Sequence, residues 1–138
     1  MRVFVYFNLH KKCLSVKALE GESKGRVIAH ADSVELVNAT FKVSQAGRQR
    51  VLRERRKNVH AGVVGTMTNL PAHYSTIQIA EAFYTPVKYN PYRFDSFVTA
   101  VNESPVTTAH RVVVASINGR GAIYANFGIG TGFAYPNT

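Results

Sequence analysis

Six cations crowd one short stretch of the chain: Arg48, Arg50, Arg53, Arg55, Arg56 and Lys57, with Glu54 the single acid among them. Arginine offers a planar fork that grips a phosphate in two places at once. Cations packed this closely repel one another unless an anion neutralises them. Asn58 and His60 add hydrogen-bonding groups just beyond. The stretch therefore points to phosphate and is silent on whether that phosphate belongs to a polymer. A solvated helix face that adds only solubility would use the same residues.

A second concentration lies at Phe83–Phe97, FYTPVKYNPYRFDSF, where Phe83, Tyr84, Tyr89, Tyr92, Phe94 and Phe97 make six of the 15 aromatics. Lys88 and Arg93 stand between them, and Asn90 occupies a turn set by Pro91. A purine stacks on an aromatic face, an asparagine bonds its edge, and a cation holds its phosphate. Two prolines stiffen the segment, which lowers the ordering cost of binding. An aromatic mini-core beneath a loop is the competing reading. Arg111 and Arg120 flank a C-terminal hairpin turn at Asn118-Gly119, one away from the turn and one at it. Each alone reads as a surface arginine; together they could serve two ends of a site, or two subunits.

Catalysis finds little support. The chain has eight acids, and no pair has the spacing of a glycosidase or nuclease. His10, His30, His60, His73 and His110 are scattered, with no metal-ligand spacing. His73-Tyr74-Ser75 matches one half of the paired signature of two-histidine phosphoesterases. The other four histidines are followed at the equivalent place by Lys12, Asp32, Gly62 and Val112, so the second half is missing. The glycines at 128–132 precede neither a helix nor a lysine, which excludes a Walker-type loop. Cys13 reads as a packed strand thiol. Neither a cofactor nor a metal is expected.

These residues need a scaffold. A chain of 138 residues with 46% apolar content can bury a core, and a net charge of +9 favours anionic partners. One cysteine allows no internal disulfide, which suits a reducing cytoplasm. No signal peptide and no membrane span is expected. Strands are expected at 2–7 and 13–18 as a hairpin, then at 26–30, 34–37 and 40–43. Ser44 would cap a helix from Gln45 to about Lys57, with Gly47 tolerated because something packs closely on it. Strands follow at 59–67, with Gly62 and Gly65 as bulges or close approaches, and at 77–84. Residues 68–76 read as a connection and 85–94 as a structured loop or edge segment. The last strands are expected at 96–101, 110–117 and 121–127. The whole reads as one α+β domain, mostly antiparallel β-sheet with one dominant basic helix at about 45–57. Residues 1–70 form a hairpin, helix and strand part, and 71–138 a ligand-binding β part.

FKVSQAGRQRVLRERRKNVHAGVVG, with YFNLHKKCLSVKA before it and NPYRFDSF at 90–97, resembles the first family of phage Thoeris anti-defence proteins, the "sponges". The resemblance covers most of residues 1–98. It implies a protein in the host cytoplasm that sequesters cyclic ADP-ribose isomers made by bacterial TIR proteins, without cleaving them. It also implies assembly into dimers and hexamers and, as in some members, a separate site for the cyclic di- or trinucleotides of CBASS defence. By motif position Phe83, Asn90, Arg93 and Arg111 would hold the first ligand, with Arg120 added on chemistry alone. Arg56 and Lys57 would form the second anion site. Two other readings stay open: a basic nucleic-acid-binding phage protein, and, with less support, a phosphoesterase using His73.

Overall fold

Branched and aromatic residues dominate the first two strands, β1 (Arg2–Asn8) and β2 (Cys13–Ala18), which pair as the expected hairpin. Among the described residues they belong to a single ten-stranded sheet in which every pair is antiparallel. A computed structural model describes residues 1–68 and 74–128. The glycine-rich tail from residue 129, His73 and most of the connection expected at 68–76 lie outside them. The other strands are β3 (Val27–Ala31), β4 (Ser33–Val43), β5 (Ala61–Met67), β6 (Thr85–Lys88), β7 (Phe97–Thr99), β8 (Pro105–Val106), β9 (Thr108–Ile117) and β10 (Arg120–Asn126). Across the sheet they run β3-β2-β1-β5-β4-β9-β10-β6-β7-β8.

One face of this sheet carries the core. Val3 and Val5 meet Leu14, Val16, Leu36, Val63, Val112 and Val114, all nearly or wholly buried. Each such side chain contributes about 1.5–3 kcal/mol when removed from water. The sheet curls toward itself, bringing β2 against β9 and β10. The Ser116 hydroxyl donates to the Lys12 carbonyl at 2.9 Å across that approach. β9 is buried on both faces, since Val113 and Ala115 are as inaccessible as Val112. A second helix, α2 (Tyr74–Phe83), packs on β6, β9 and β10. Glu81 of α2 bonds Tyr124, which alternates along β10 with the core-facing Ile123 and Ala125. The helix thus covers the outer face.

Three expectations need correction. Residues 77–83 of the strand expected at 77–84 form helix instead: Gln78, Ala80, Glu81 and Ala82 are good helix formers, and Ala80 is fully buried against the sheet. The alternation of Ile77 and Ile79 imitates a strand period. Residues 34–37 and 40–43 belong to one strand, β4, kinked by a bulge at Asn38 (φ 51°), with Gly65 opposite. The basic helix, α1, spans only Gln45–Glu54, and α2 matches its ten residues, so neither dominates.

The short α1 has a geometric cause. β4 pairs with β5 up to Val43 and Ala61, and the Ser44 N–H donates to the His60 carbonyl at 2.7 Å. The helix is therefore an excursion within a hairpin connection, and both of its ends return to one place. Ten helical residues travel about 15 Å outward. The five residues Arg55–Val59 cover about 16 Å in extended form, enough to come back. A helix running to Lys57 would leave two residues for the return. Arg55 makes the reversal in a left-handed conformation (φ 55°), its N–H bonded to the Val51 carbonyl at 2.8 Å. Ser44 caps the start as expected, its hydroxyl accepting from the Gly47 N–H at 3.2 Å.

The N-terminal half of α1 holds the 90–95 loop. Arg48 Nε donates to the carbonyls of Pro91 (3.0 Å) and Phe94 (2.9 Å), and Gln45 Nε2 to that of Asp95 (2.8 Å). Gly47 is where the return segment crosses the helix; a Cβ there would lie 2.5 Å from the Cβ of His60.

Two outcomes follow from this packing. Gly47→Ala should lower stability by about 1–3 kcal/mol in chemical denaturation, although alanine is the better helix former. A raised denaturation midpoint would refute the close contact. Arg48→Ala should speed amide hydrogen exchange at 90–95 while leaving β1 and β9 protected, and Arg48→Lys should not restore protection, since lysine has a methylene where Arg48 Nε bonds both carbonyls.

Candidate functional site

Four segments converge on one open cleft of about 830 Å³. They are the end of β1 with the turn that follows, the link from α1 into β5, the end of β6 with its loop, and the start of β10. The β1 turn is shaped by Asn8, whose Oδ1 accepts from the N–H groups of His10 (3.0 Å) and Lys11 (2.9 Å). Its Nδ2 reaches the buried Ser15 hydroxyl at 3.1 Å, which also meets His30 Nδ1 at 3.2 Å.

The walls are aromatic and their polar groups are amides and cations. Tyr6, Phe7, Tyr89, Tyr92 and Phe97 supply rings; Asn8, Asn58 and Asn90 supply amides; Lys57, Lys88, His10 and His60 supply donors or positive charge. Among the described residues no carboxylate lines the cleft. Phe41, Phe97, Tyr89 and His60 form a row of neighbouring rings 5.1–5.5 Å apart, which fixes one wall from the core outward.

His60 is the hub of the polar side. Its Nε2 lies 2.7 Å from the Tyr89 hydroxyl, and its Nδ1 lies 2.9 Å from Asn58 Oδ1 and 3.2 Å from the Asn58 carbonyl. Asn58 Nδ2 donates to the Gly47 carbonyl at 3.3 Å. Burial pushes the Tyr89 phenol above its usual value, Arg48 pulls it down, and Asp95 adds to the rise.

The residues expected from sequence divide between the cleft and its surroundings. Asn90 and Lys57 line it. Asn90 also builds the loop: its Oδ1 accepts from the Tyr92 N–H at 2.9 Å, and its carbonyl from the N–H groups of Arg93 (3.1 Å) and Phe94 (2.9 Å). Arg93 stands outside the lining, 4.9 Å over the Phe94 ring and 3.4 Å from Glu103. The Lys88 ammonium bonds Glu103 at 2.9 Å and holds that carboxyl below its usual range, with Arg93 assisting. Arg111 pairs with Glu35 at 3.4 Å, on the face of β9 opposite Val112 and Val114. Arg120 is exposed just after the hairpin turn, where Asn118 (φ 52°) and Gly119 (φ 77°) both take left-handed backbone. Phe83 ends α2, is 81% exposed, and belongs to the outer layer. Arg56 is exposed in the return segment beside Lys57, off the cleft.

Sequence reasoning singled out neither Tyr6 nor the Asn58–His60–Tyr89 chain as a unit. Its members had been noticed separately, as donors past the helix and as part of the aromatic segment. What joins them is the return of the α1 excursion, which local pattern does not reveal. Among the described residues no cluster of His, Cys, Asp or Glu could hold a metal ion, and no helix is long and apolar enough to cross a membrane.

No solved structure matches the chain. A family model described as Mycobacterium phage L5 gene 82 protein matches residues 1–121, a span that takes in both helices and most of the cleft. The gene 82 protein of Mycobacterium phage L5 is 44% identical over 129 residues, covering 88% of this chain and 96% of its own. By sequence and by extent, then, the chain belongs to the phage family of the Mycobacterium phage L5 gene 82 protein.

Proposed function

We propose that this phage protein binds and sequesters a nucleotide-type signal, a cyclic ADP-ribose isomer of the kind made by TIR proteins in Thoeris defence, and does not cleave it. The observation that carries the reading is the cleft: rings, amides and cations converge on about 830 Å³ with no carboxylate among the described lining residues. Small-molecule sites have this size and composition. Rings suit an adenine, Lys57 suits a phosphate, with Lys88 available only in competition with Glu103, and a site without acids holds such a ligand without an obvious means of hydrolysing it. The sponge resemblance supplies the identity of the ligand, and the phage family is consistent with an anti-defence role.

Within this reading the first site keeps Asn90 and draws on Tyr89, Tyr92 and Lys57 in place of Phe83, Arg93, Arg111 and Arg120. Arg56 with its neighbours remains the place for a second anion, such as a cyclic oligonucleotide, and assembly into dimers or hexamers remains part of the proposal. One observation favours the alternative, a nucleic-acid-binding protein. Arg50 and Arg53 are two-thirds exposed, their nearest carboxylate is the shared Glu54, and they adjoin the exposed Arg55 and Arg56.

The direct test is to incubate the protein with cyclic ADP-ribose isomers, remove it, then heat it and recover the ligand. Intact release supports sequestration; a cleaved product, or no depletion of any isomer, sinks it. A gel shift of long duplex or single strand that fades steeply with salt would favour the alternative. Tyr92→Ala, at a half-exposed position lining the cleft, should weaken ligand binding about tenfold or more by calorimetry. Phe83→Ala should leave affinity unchanged, because that ring lies in the outer layer; a loss equal to that of Tyr92→Ala would return the site to α2.

A further inference from the structure

The proton positions along Asn58–His60–Tyr89 follow from their partners. Two acceptors face His60 Nδ1: the Asn58 carbonyl at 3.2 Å and Asn58 Oδ1 at 2.9 Å. The amide cannot be turned around, because its nitrogen is needed by the Gly47 carbonyl at 3.3 Å. The backbone carbonyl imposes the same answer whichever way the amide points. Nδ1 therefore carries the proton of the neutral imidazole, and Nε2 is an acceptor. The Tyr89 hydroxyl, 2.7 Å from Nε2, must donate to it. Its proton is then spent, and its oxygen can only accept from anything else. Burial keeps the phenol protonated, so this oxygen is not a phenolate.

Tyr89 and His60 both line the cleft. We propose that the His60-bound Tyr89 hydroxyl is a specificity determinant that accepts a hydrogen bond from the ligand, selecting a base with an exocyclic amine over one with a carbonyl at the same place. The proposal rests on the cleft being the nucleotide site and adds the atom that reads the base: the Tyr89 oxygen, which favours an amino-purine such as adenine over hypoxanthine. A carbonyl facing Tyr89 would set two acceptors against each other with no proton between them. Leaving such a pair unsatisfied discriminates more sharply than any difference in size. His60 acts through Tyr89, and Asn58 through His60, so both are positioning residues.

The experiment uses the full chain and two probes. One is a cyclic ADP-ribose isomer linked through its riboses, which leaves the adenine amine free. The other is its hypoxanthine counterpart, with a carbonyl in place of that amine. Calorimetry should show the adenine compound bound roughly tenfold or more tightly. Tyr89→Phe keeps the ring and removes the oxygen, and should bring the two affinities together. A purely structural tyrosine would weaken both ligands in proportion and leave their ratio alone. Equal binding of both probes to the unaltered protein, or a preference that survives Tyr89→Phe, overturns the assignment while leaving sequestration in place. Binding of neither probe overturns the proposed function and this inference with it.

Discussion

The N–H of Ser44 donating to the carbonyl of His60 is the bond on which the arrangement turns. It extends the β4–β5 ladder by one step, so that a helix must leave and return within the span it closes. The helix then has a fixed length, and the crossing point falls on Gly47. His60 is driven against that glycine and its ring is aimed at Tyr89. From the same helix Arg48 reaches the loop that carries Asn90 and Tyr92. One backbone bond thus sets both walls of the cleft on either side of α1.

Charge plays a smaller part than its density in the sequence suggests. The cations that look most like a phosphate grip are spread over three environments. Arg48 is consumed by loop carbonyls, Arg50 and Arg53 share Glu54 on an exposed surface, and Arg55 serves as a backbone hinge. Exposed pairs of this kind add little stability. Lys57 enters the cleft because it stands on the return segment rather than on the helix. Among the described residues no carboxylate lines the cleft; Glu35 is held away on Arg111, while Glu103 pairs with the lining Lys88 from outside and leaves Lys57 as the lysine of the cleft with no such pairing shown.

Much of the sheet was legible in the sequence. The hairpin at 2–18, the Asn118-Gly119 turn and the cap at Ser44 are local devices, and local chemistry reports them. The α2 segment was not legible because its isoleucines alternate like a strand while its alanines decide for helix. The end of α1 was illegible for another reason: nothing at Arg55–Lys57 forbids helix, and the stop comes from the ladder beyond. Around the cleft, the segment at Asn90 and the groups at Lys57, Asn58 and His60 were each visible in the sequence, and their meeting was not. The family resemblance joined Phe83 to Asn90 by motif position. A single change from strand to helix moves it to the outer layer.

The order of strands has a consequence for when the cleft comes into being. β4 lies beside β9, joining Val37 to Arg111 across half the chain, and the cleft takes its lining from Val5 through Ile123. Topologies dominated by such distant pairings fold slowly, because loop closure must come before the contacts that reward it. The cleft is therefore absent until the sheet is assembled, because β1, β5, β6 and β10 each supply part of its lining.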